Sequence, residues 1–238
     1  GDCFVLWTRP GETKVRALNG SGRAPADADA AALRAAGHTA VPPGSPHAVT
    51  VPGAVDAFCH LAGTEGKLGL GAVLAPAIRY AEEGVPVAPR VAFDWAKDAA
   101  TLQGAARQSY LPGGKAPEAG QVFRAPGQAE VLRRIASGGR DAFYRGEVAD
   151  DMLRALRSLG GPHTAEDFAA AACTPADPVA GAYQGAELTE HPPNGQGATA
   201  ILMLNILKHF GISGMDPLGA QRAHIEAEAA KLAYDARN

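Results

Sequence analysis

The sequence predicts a mixed α/β fold, with helices and strands sorted into layers. The chain opens on a strand, turn and strand: Phe4-Val5-Leu6-Trp7-Thr8, then Pro10-Gly11-Glu12, then Val15-Arg16-Ala17-Leu18. β formers flank a chain-breaking Pro-Gly pair there. Apolar residues later recur at helical spacing, first at Leu74, Ile78 and Ala81, then at Val148, Met152, Leu156 and Leu159. Glycine and proline make up about a fifth of the 238 residues, against roughly 12% in an average chain, so turns and loops are many.

The elements follow in order. After the opening strands, Asn19-Gly20-Ser21-Gly22 is too flexible for the interior of an element. Residues 27–36 are alanine-rich and read as a helix closed by Gly37. Residues 41–52 carry four prolines and read as an extended loop, with an apolar strand-like stretch from His47 to Val51. A helix is expected over 55–61, and the Leu74 stripe forms a second that ends at Gly84. Residues 107–127 read as loop. Val131, Leu132 and Ile135 mark another helix, and the Val148 stripe a longer one that stops at Gly160-Gly161. Thr164-Ala165-Glu166-Asp167 is a capping sequence for a short helix. Residues 179–188 are expected to form two short strands broken at Gly181 and Gly185. Pro192 to Gly197 reads as a turn and residues 198–210 as a buried helix. Asp216-Pro217 reads as an N-cap and first position opening the last helix.

Composition excludes several classes. The formal net charge is −3 and no basic run stands out, so nucleic acid is not the expected partner. No stretch approaches the roughly 20 apolar residues that cross a bilayer, so no membrane is expected either. Cys3, Cys59 and Cys173 form no CxxC pair and imply neither a zinc site nor a disulfide framework. Their odd number points to a reducing compartment. Alanine alone accounts for 51 residues, so larger apolar side chains are thin for this length. The strand that starts without a lead-in and the helical pattern still running at the end read as the edges of a piece of a longer product.

The chemistry-bearing residues are few. Asn19-Gly20-Ser21-Gly22-Arg23-Ala24-Pro25 leaves a strand and holds one arginine on a turn. A guanidinium so placed takes a carboxylate bidentately, or is a solvated surface group. The glycine spacing is not that of a dinucleotide site. His47, after Pro46, reads as a cleft residue or as a structural histidine. His224 and Glu228 share a helix face without a third ligand, so no metal is expected. Ser45, Ser109, Ser137 and Ser213 lack the GxSxG setting. Asn194-Gly195-Gln196-Gly197 reads as a turn aimed at a helix N-terminus, fit for an anion, or as a plain loop. No nucleophile has a base beside it, so no complete catalytic set is read from the chain.

The order of segments adds to this. Val49-Thr50-Val51-Pro52-Gly53-Ala54-Val55 precedes Leu74 to Gly84, then Gly139-Arg140-Asp141-Ala142-Phe143-Tyr144-Arg145-Gly146. Thr164 to Phe168, Tyr183-Gln184-Gly185 and Pro192 to Gly197 complete the series. This succession resembles the large subunit of the γ-glutamyltranspeptidase family across nearly the whole chain.

The resemblance implies an αββα sandwich of the N-terminal-nucleophile hydrolases, completed by a small subunit outside this chain. It implies a self-cleaving precursor, a nucleophilic threonine at the new N-terminus of the small subunit, and that residue's own α-amino group as base. Residues 1–238 would then be a single domain, most of a large subunit. No residue of this chain is expected to be catalytic and no cofactor is implied.

One position departs from the family pattern. True γ-glutamyltranspeptidases carry Arg-Glu ahead of the Ala-Pro, and that arginine pairs with the α-carboxylate of the γ-glutamyl group. Here Ser21 and Gly22 stand at those places and the arginine falls two residues later, at Arg23. The Ser-Gly-Arg-Ala-Pro version is similar to the branch with oxamate amidohydrolase and cephalosporin acylases. The expected substrate is therefore a small amide, with γ-glutamyl transfer from glutathione as the alternative and a non-catalytic binding or structural relative as a third reading. Ser21, Gly22 and Arg23 are expected to line the acyl pocket, with His47 beside them. The expected assembly is αβ or (αβ)2.

Overall fold

A computed structural model of the chain describes residues 1–237. The elements, in order, are β1 (Phe4–Trp7), β2 (Arg16–Asn19), α1 (Ala30–Ala35), α2 (Ala54–Thr64), α3 (Gly69–Glu83), β3 (Val85–Pro86), α4 (Pro89–Asp98), α5 (Gly104–Tyr110), β4 (Val122–Phe123) and α6 (Pro126–Gly138). The second half holds α7 (Asp141–Tyr144), α8 (Glu147–Ser158), α9 (Ala165–Ala169), β5 (Thr174–Ala176), β6 (Val179–Tyr183), β7 (Ala186–Glu190), α10 (Gly197–Leu207) and α11 (Ala220–Asp235). The mixed α/β class read from the sequence holds.

The chain divides into two compact units. One takes residues 1–28, 48–57 and 170–238, the other residues 29–47 and 58–169.

In the first unit, β2 is the central strand of a three-stranded antiparallel sheet in the order β1-β2-β5. Phe4 faces Asn19 and Trp7 faces Arg16 across the first pair; Asn19 faces Thr174 across the second. Ala17 and Leu18 are both buried, at 2% and 1% exposure, so β2 is covered on both faces, as a central strand requires. Its last residue, Asn19, stands where the sheet ends and the turn begins. The hairpin β6–β7 packs on α10, and α10 packs on α11. Leu207, Ile212 and Ala229 are the buried centre of that packing, with Met203, Ile206 and Ile225 against them. Gly181 does not break β6, because Ile201 of α10 packs over it within the continuous strand. α10 is apolar all round, yet residues 200–206 are half-buried rather than buried as expected.

In the second unit, α3 packs on α6, α6 on α7, and α7 on α8. Ile135, Tyr144, Leu153 and Phe168 are buried at 5% exposure or less. Thr164 and Asp167 form the predicted cap: Asp167 Oδ2 accepts from Thr164 N at 2.9 Å, and Asp167 N donates to Thr164 Oγ1 at 3.1 Å. Each end of the box satisfies a helix-terminal N–H.

Other expectations are corrected. Residues 47–51 form no strand; Pro46–Ala48 is a 3-10 turn. Residues 107–110 belong to α5, and α4, for which no helix was expected, has Val91 and Phe93 exposed. α1 starts later than expected because Asp29, not Asp27, caps it through the N–H groups of Ala31 and Ala32. Asp216 does not cap α11. Its carboxylate accepts from Leu218 N at 3.0 Å and closes a turn, and the helix opens three residues on, after Gly219.

Candidate functional site

The turn after β2 is built by backbone contacts that leave no room for side chains. Cys3 and Gly20 exchange two main-chain hydrogen bonds, at 3.2 and 2.7 Å, which carry the β1–β2 ladder one residue past the strands. Val51 N then donates to Arg23 O at 2.9 Å, and Gly53 N to Gly1 O at 2.9 Å. The segment 51–53 thus lies hard against the turn. A Cβ on Gly22 would sit 1.6 Å from Val51 O, and one on Gly53 would sit 2.3 Å from Gly20 O. These two glycines are required by close approach of backbone to backbone. Asp2 Oδ1 takes the Gly22 N–H at 3.1 Å and holds the turn from its other side.

Side chains then meet above the turn. Asn19 Oδ1 accepts from Ser21 N at 2.8 Å. Asn19 Nδ2 donates to Asn194 Oδ1 at 3.1 Å, and Asn194 Nδ2 donates to Ser21 Oγ at 3.1 Å. Asn194 belongs to the turn before α10, and that turn is itself fixed. His191, 8% exposed, sits with Nε2 3.1 Å from Leu18 O and Nδ1 2.8 Å from Pro192 O. Tyr234 of α11 donates its hydroxyl to Gln196 Oε1 at 2.6 Å.

These elements enclose a polar cavity of about 470 Å³, lined by Asn19, Ser21, Gly22, Arg23, Ala24, Ala172, Thr174 and Asn194. Arg23 is exposed, and among the described residues no ion pair engages its guanidinium. The residues that line the cavity therefore bring one positive charge, two hydroxyls (Ser21 and Thr174) and two amides. That set suits a ligand rich in oxygen acceptors, such as a carboxylate or a carboxamide.

Ser21, Gly22 and Arg23 are brought together in this cavity. His47 stands in the 3-10 turn Pro46–Ala48 and is not among the described residues that line it. Asn19 was not singled out by sequence, and Asn194 was read for a helix N-terminus rather than for Ser21, from which it is 173 residues distant. A second cavity of about 420 Å³ shares Asn194 and has Ala198, Leu202, Ala233 and Ala236 on its wall. Close to the sheet, burial and the neighbouring Asp56 carboxylate push the Cys173 thiol up to about 12, so it is no nucleophile at neutral pH.

Comparison with known proteins places the chain in one family. The family profile described as gamma-glutamyltranspeptidase matches residues 1–238. The chain is 33% identical over 237 residues to the Glutathione hydrolase-like YwrD proenzyme of Bacillus subtilis, covering 98% of this chain and 45% of that protein. It is 33% identical over 246 residues to the Oxamate amidohydrolase proenzyme of Klebsiella pneumoniae, covering 100% of this chain and 46% of that protein. Among solved structures, the cephalosporin acylase of Bacillus halodurans superposes with a TM-score of 0.88 at 39% identity, over 97% of this chain and 44% of that one. The γ-glutamyltranspeptidase of Helicobacter pylori superposes at 0.89 with 26% identity, over 98% of this chain and 69% of that one. The chain spans about half the length of the curated relatives it matches. It belongs to the gamma-glutamyltranspeptidase family.

Proposed function

We propose that this chain is the large-subunit part of a self-processing amidohydrolase or acyltransferase that acts on a small amide. The observation that carries the reading is the family match over the full 238 residues, to relatives named as proenzymes of amide-bond hydrolases. A threonine at the N-terminus of a small subunit, cut from the same precursor, attacks the amide carbonyl. The carbonyl carbon gains the Thr Oγ, the amine leaves with a proton, and water or a second amine resolves the acyl-enzyme. The present chain supplies scaffold and part of the acyl pocket. Half-buried apolar residues all round α10 support a partner that completes the core.

The preference for a small amide over a γ-glutamyl group rests on Ser21. Where the γ-glutamyl pattern has arginine, this cavity has a hydroxyl, and its guanidinium comes from Arg23. Two residues of extended chain span up to about 7 Å, enough to move the anion contact to a different part of the acyl group. A mass spectrum of the full-length product tests the core of the proposal: two chains are expected. A single uncut chain, with no turnover of oxamate or of a γ-glutamyl anilide, would overturn it in favour of a binding module. Turnover of the γ-glutamyl anilide well above that of oxamate would leave the enzyme reading and reverse the substrate preference. Sedimentation of the processed protein decides between αβ and (αβ)2.

A further inference from the structure

The hydrogen bonds around Ser21 form a closed relay, and its direction follows from one unambiguous donor. A backbone N–H can only donate. Ser21 N therefore fixes the atom it meets on Asn19 as the oxygen. The other end of that amide is then the NH2, and it faces Asn194 across 3.1 Å. Asn194 must answer with its oxygen, which turns its own NH2 to Ser21 Oγ. The relay starts at the main chain of Ser21 and ends on the side chain of the same residue. At that end the hydroxyl can only accept, so its own hydrogen is left over. Among the described residues no protein acceptor takes it.

We infer that Asn19 and Asn194 are positioning residues that fix Ser21 Oγ as a hydrogen-bond donor into the polar cavity. Ser21 and Arg23 then form a paired donor site for one carboxylate, or for a carbonyl oxygen of an amide, at the non-reacting end of the acyl group. The inference deepens the proposed function and rests on it for the identity of the ligand as an acyl group. The site selects against a cationic group at the same place, because the Arg23 guanidinium repels it and accepts no hydrogen bond.

Asn194→Asp provides the test, since it keeps size and shape but supplies only acceptors toward Ser21. Asn19 still has its partner, whereas the serine hydroxyl turns to donate to the new carboxylate and leaves the cavity. Binding of oxamate and of glutarate is measured by titration calorimetry on the full-length protein, in wild type, Ser21→Ala, Asn194→Asp and the double variant. Each single variant is expected to bind the better of the two probes about tenfold more weakly, the loss of one charge-assisted hydrogen bond. The double variant is expected to bind no more weakly than the weaker single variant. Added negative charge alone would weaken binding again in the Ser21→Ala background, and that additive result would overturn the inference. So would wild-type affinity in Ser21→Ala, or no binding of either probe by wild type. These titrations need no turnover, so an uncut, inactive protein that still binds a probe through Ser21 would sink the enzyme reading and leave the donor site standing.

Discussion

Gly22 is the position where the structure makes its sharpest prediction about the site. Its Cα lies so close to the next segment that an added methyl carbon would fall 1.6 Å from Val51 O and 2.8 Å from Val51 C. Both atoms are backbone, so no rotamer change relieves the clash. Restoring an ordinary contact of about 3.2 Å requires the turn and segment 51–53 to separate by about 1.5 Å. Val51 is also the donor of the 2.9 Å bond to Arg23 O, and a displacement of that size breaks it. Overpacking costs about 1–3 kcal/mol and the lost hydrogen bond about 1 kcal/mol more. Gly22→Ala is therefore expected to destabilise the turn by about 2–4 kcal/mol.

The assay is amide hydrogen exchange on the full-length protein, read on a peptide that contains Val51. If the opening is local, exchange of the Val51 amide speeds up by about 30-fold to several hundred-fold. Peptides from 126–169 are expected to exchange as in wild type. Unchanged protection at Val51, together with an unchanged melting temperature, would refute the close-approach argument. A uniform rise over every peptide would show that the turn is part of the global unfolding unit instead.

Other perturbations follow from particular contacts. Arg23→Ala is expected to raise KM for a carboxylate-bearing amide several-fold with kcat unchanged, since it removes a binding contact and not the nucleophile; equal kinetics in both would remove Arg23 from the site. Leu153→Ala empties a position only 2% exposed in α8 and is expected to cost about 2–5 kcal/mol, read as a lower midpoint in denaturant. Asp167→Ala removes the carboxylate half of the α9 cap and is expected to cost about 1 kcal/mol, checked the same way. With its thiol pushed up to about 12, Cys173 is expected to resist iodoacetamide at pH 8. Alkylation should accelerate as pH rises toward 12, and Asp56→Asn should speed it at every lower pH, because removing the neighbouring negative charge lowers the thiol's pKa. Rapid alkylation of Cys173 at pH 8 in the unmodified protein would contradict this.

Fold and site were legible in the sequence to different degrees, for physical reasons. β1, β2, α3, α6, α8 and the α9 cap all carry local signals: alternation, helical spacing, or a side chain that bonds its own backbone. α4 went unread although its charged residues Arg90, Asp94, Lys97 and Asp98 recur at i, i+4, i+7 and i+8, a helical spacing. Asp216 misled because an Asp-Pro pair serves a turn as well as a helix start, and only the partner N–H distinguishes them. Ser21, Gly22 and Arg23 were legible since they are consecutive. Asn194 was not, because its meaning comes from β2 ending beside the turn that precedes α10, a juxtaposition of segments 173 residues apart. No local pattern encodes which atom of an amide faces which neighbour.

The direction of that relay also makes Asn19 testable on its own. Replace Asn19 with Asp, and the carboxylate still accepts the Ser21 N–H, so the turn keeps its bond. The second carboxylate oxygen, however, now faces Asn194 where an NH2 used to be. Asn194 is driven to flip its amide and donate to the new acceptor, which brings its oxygen to Ser21 Oγ. The serine hydroxyl then donates to Asn194 and no longer offers its hydrogen to the cavity. Asn19→Asp is thus expected to weaken oxamate or glutarate binding about tenfold although Asn19 touches neither Ser21 Oγ nor the hydrogen concerned. In the Ser21→Ala background the same substitution should add little, since there is no hydroxyl left to redirect. If Asn19→Asp binds as tightly as wild type, or weakens binding equally with and without the hydroxyl, the polarity does not run from the Ser21 amide and the relay is only a structural clasp.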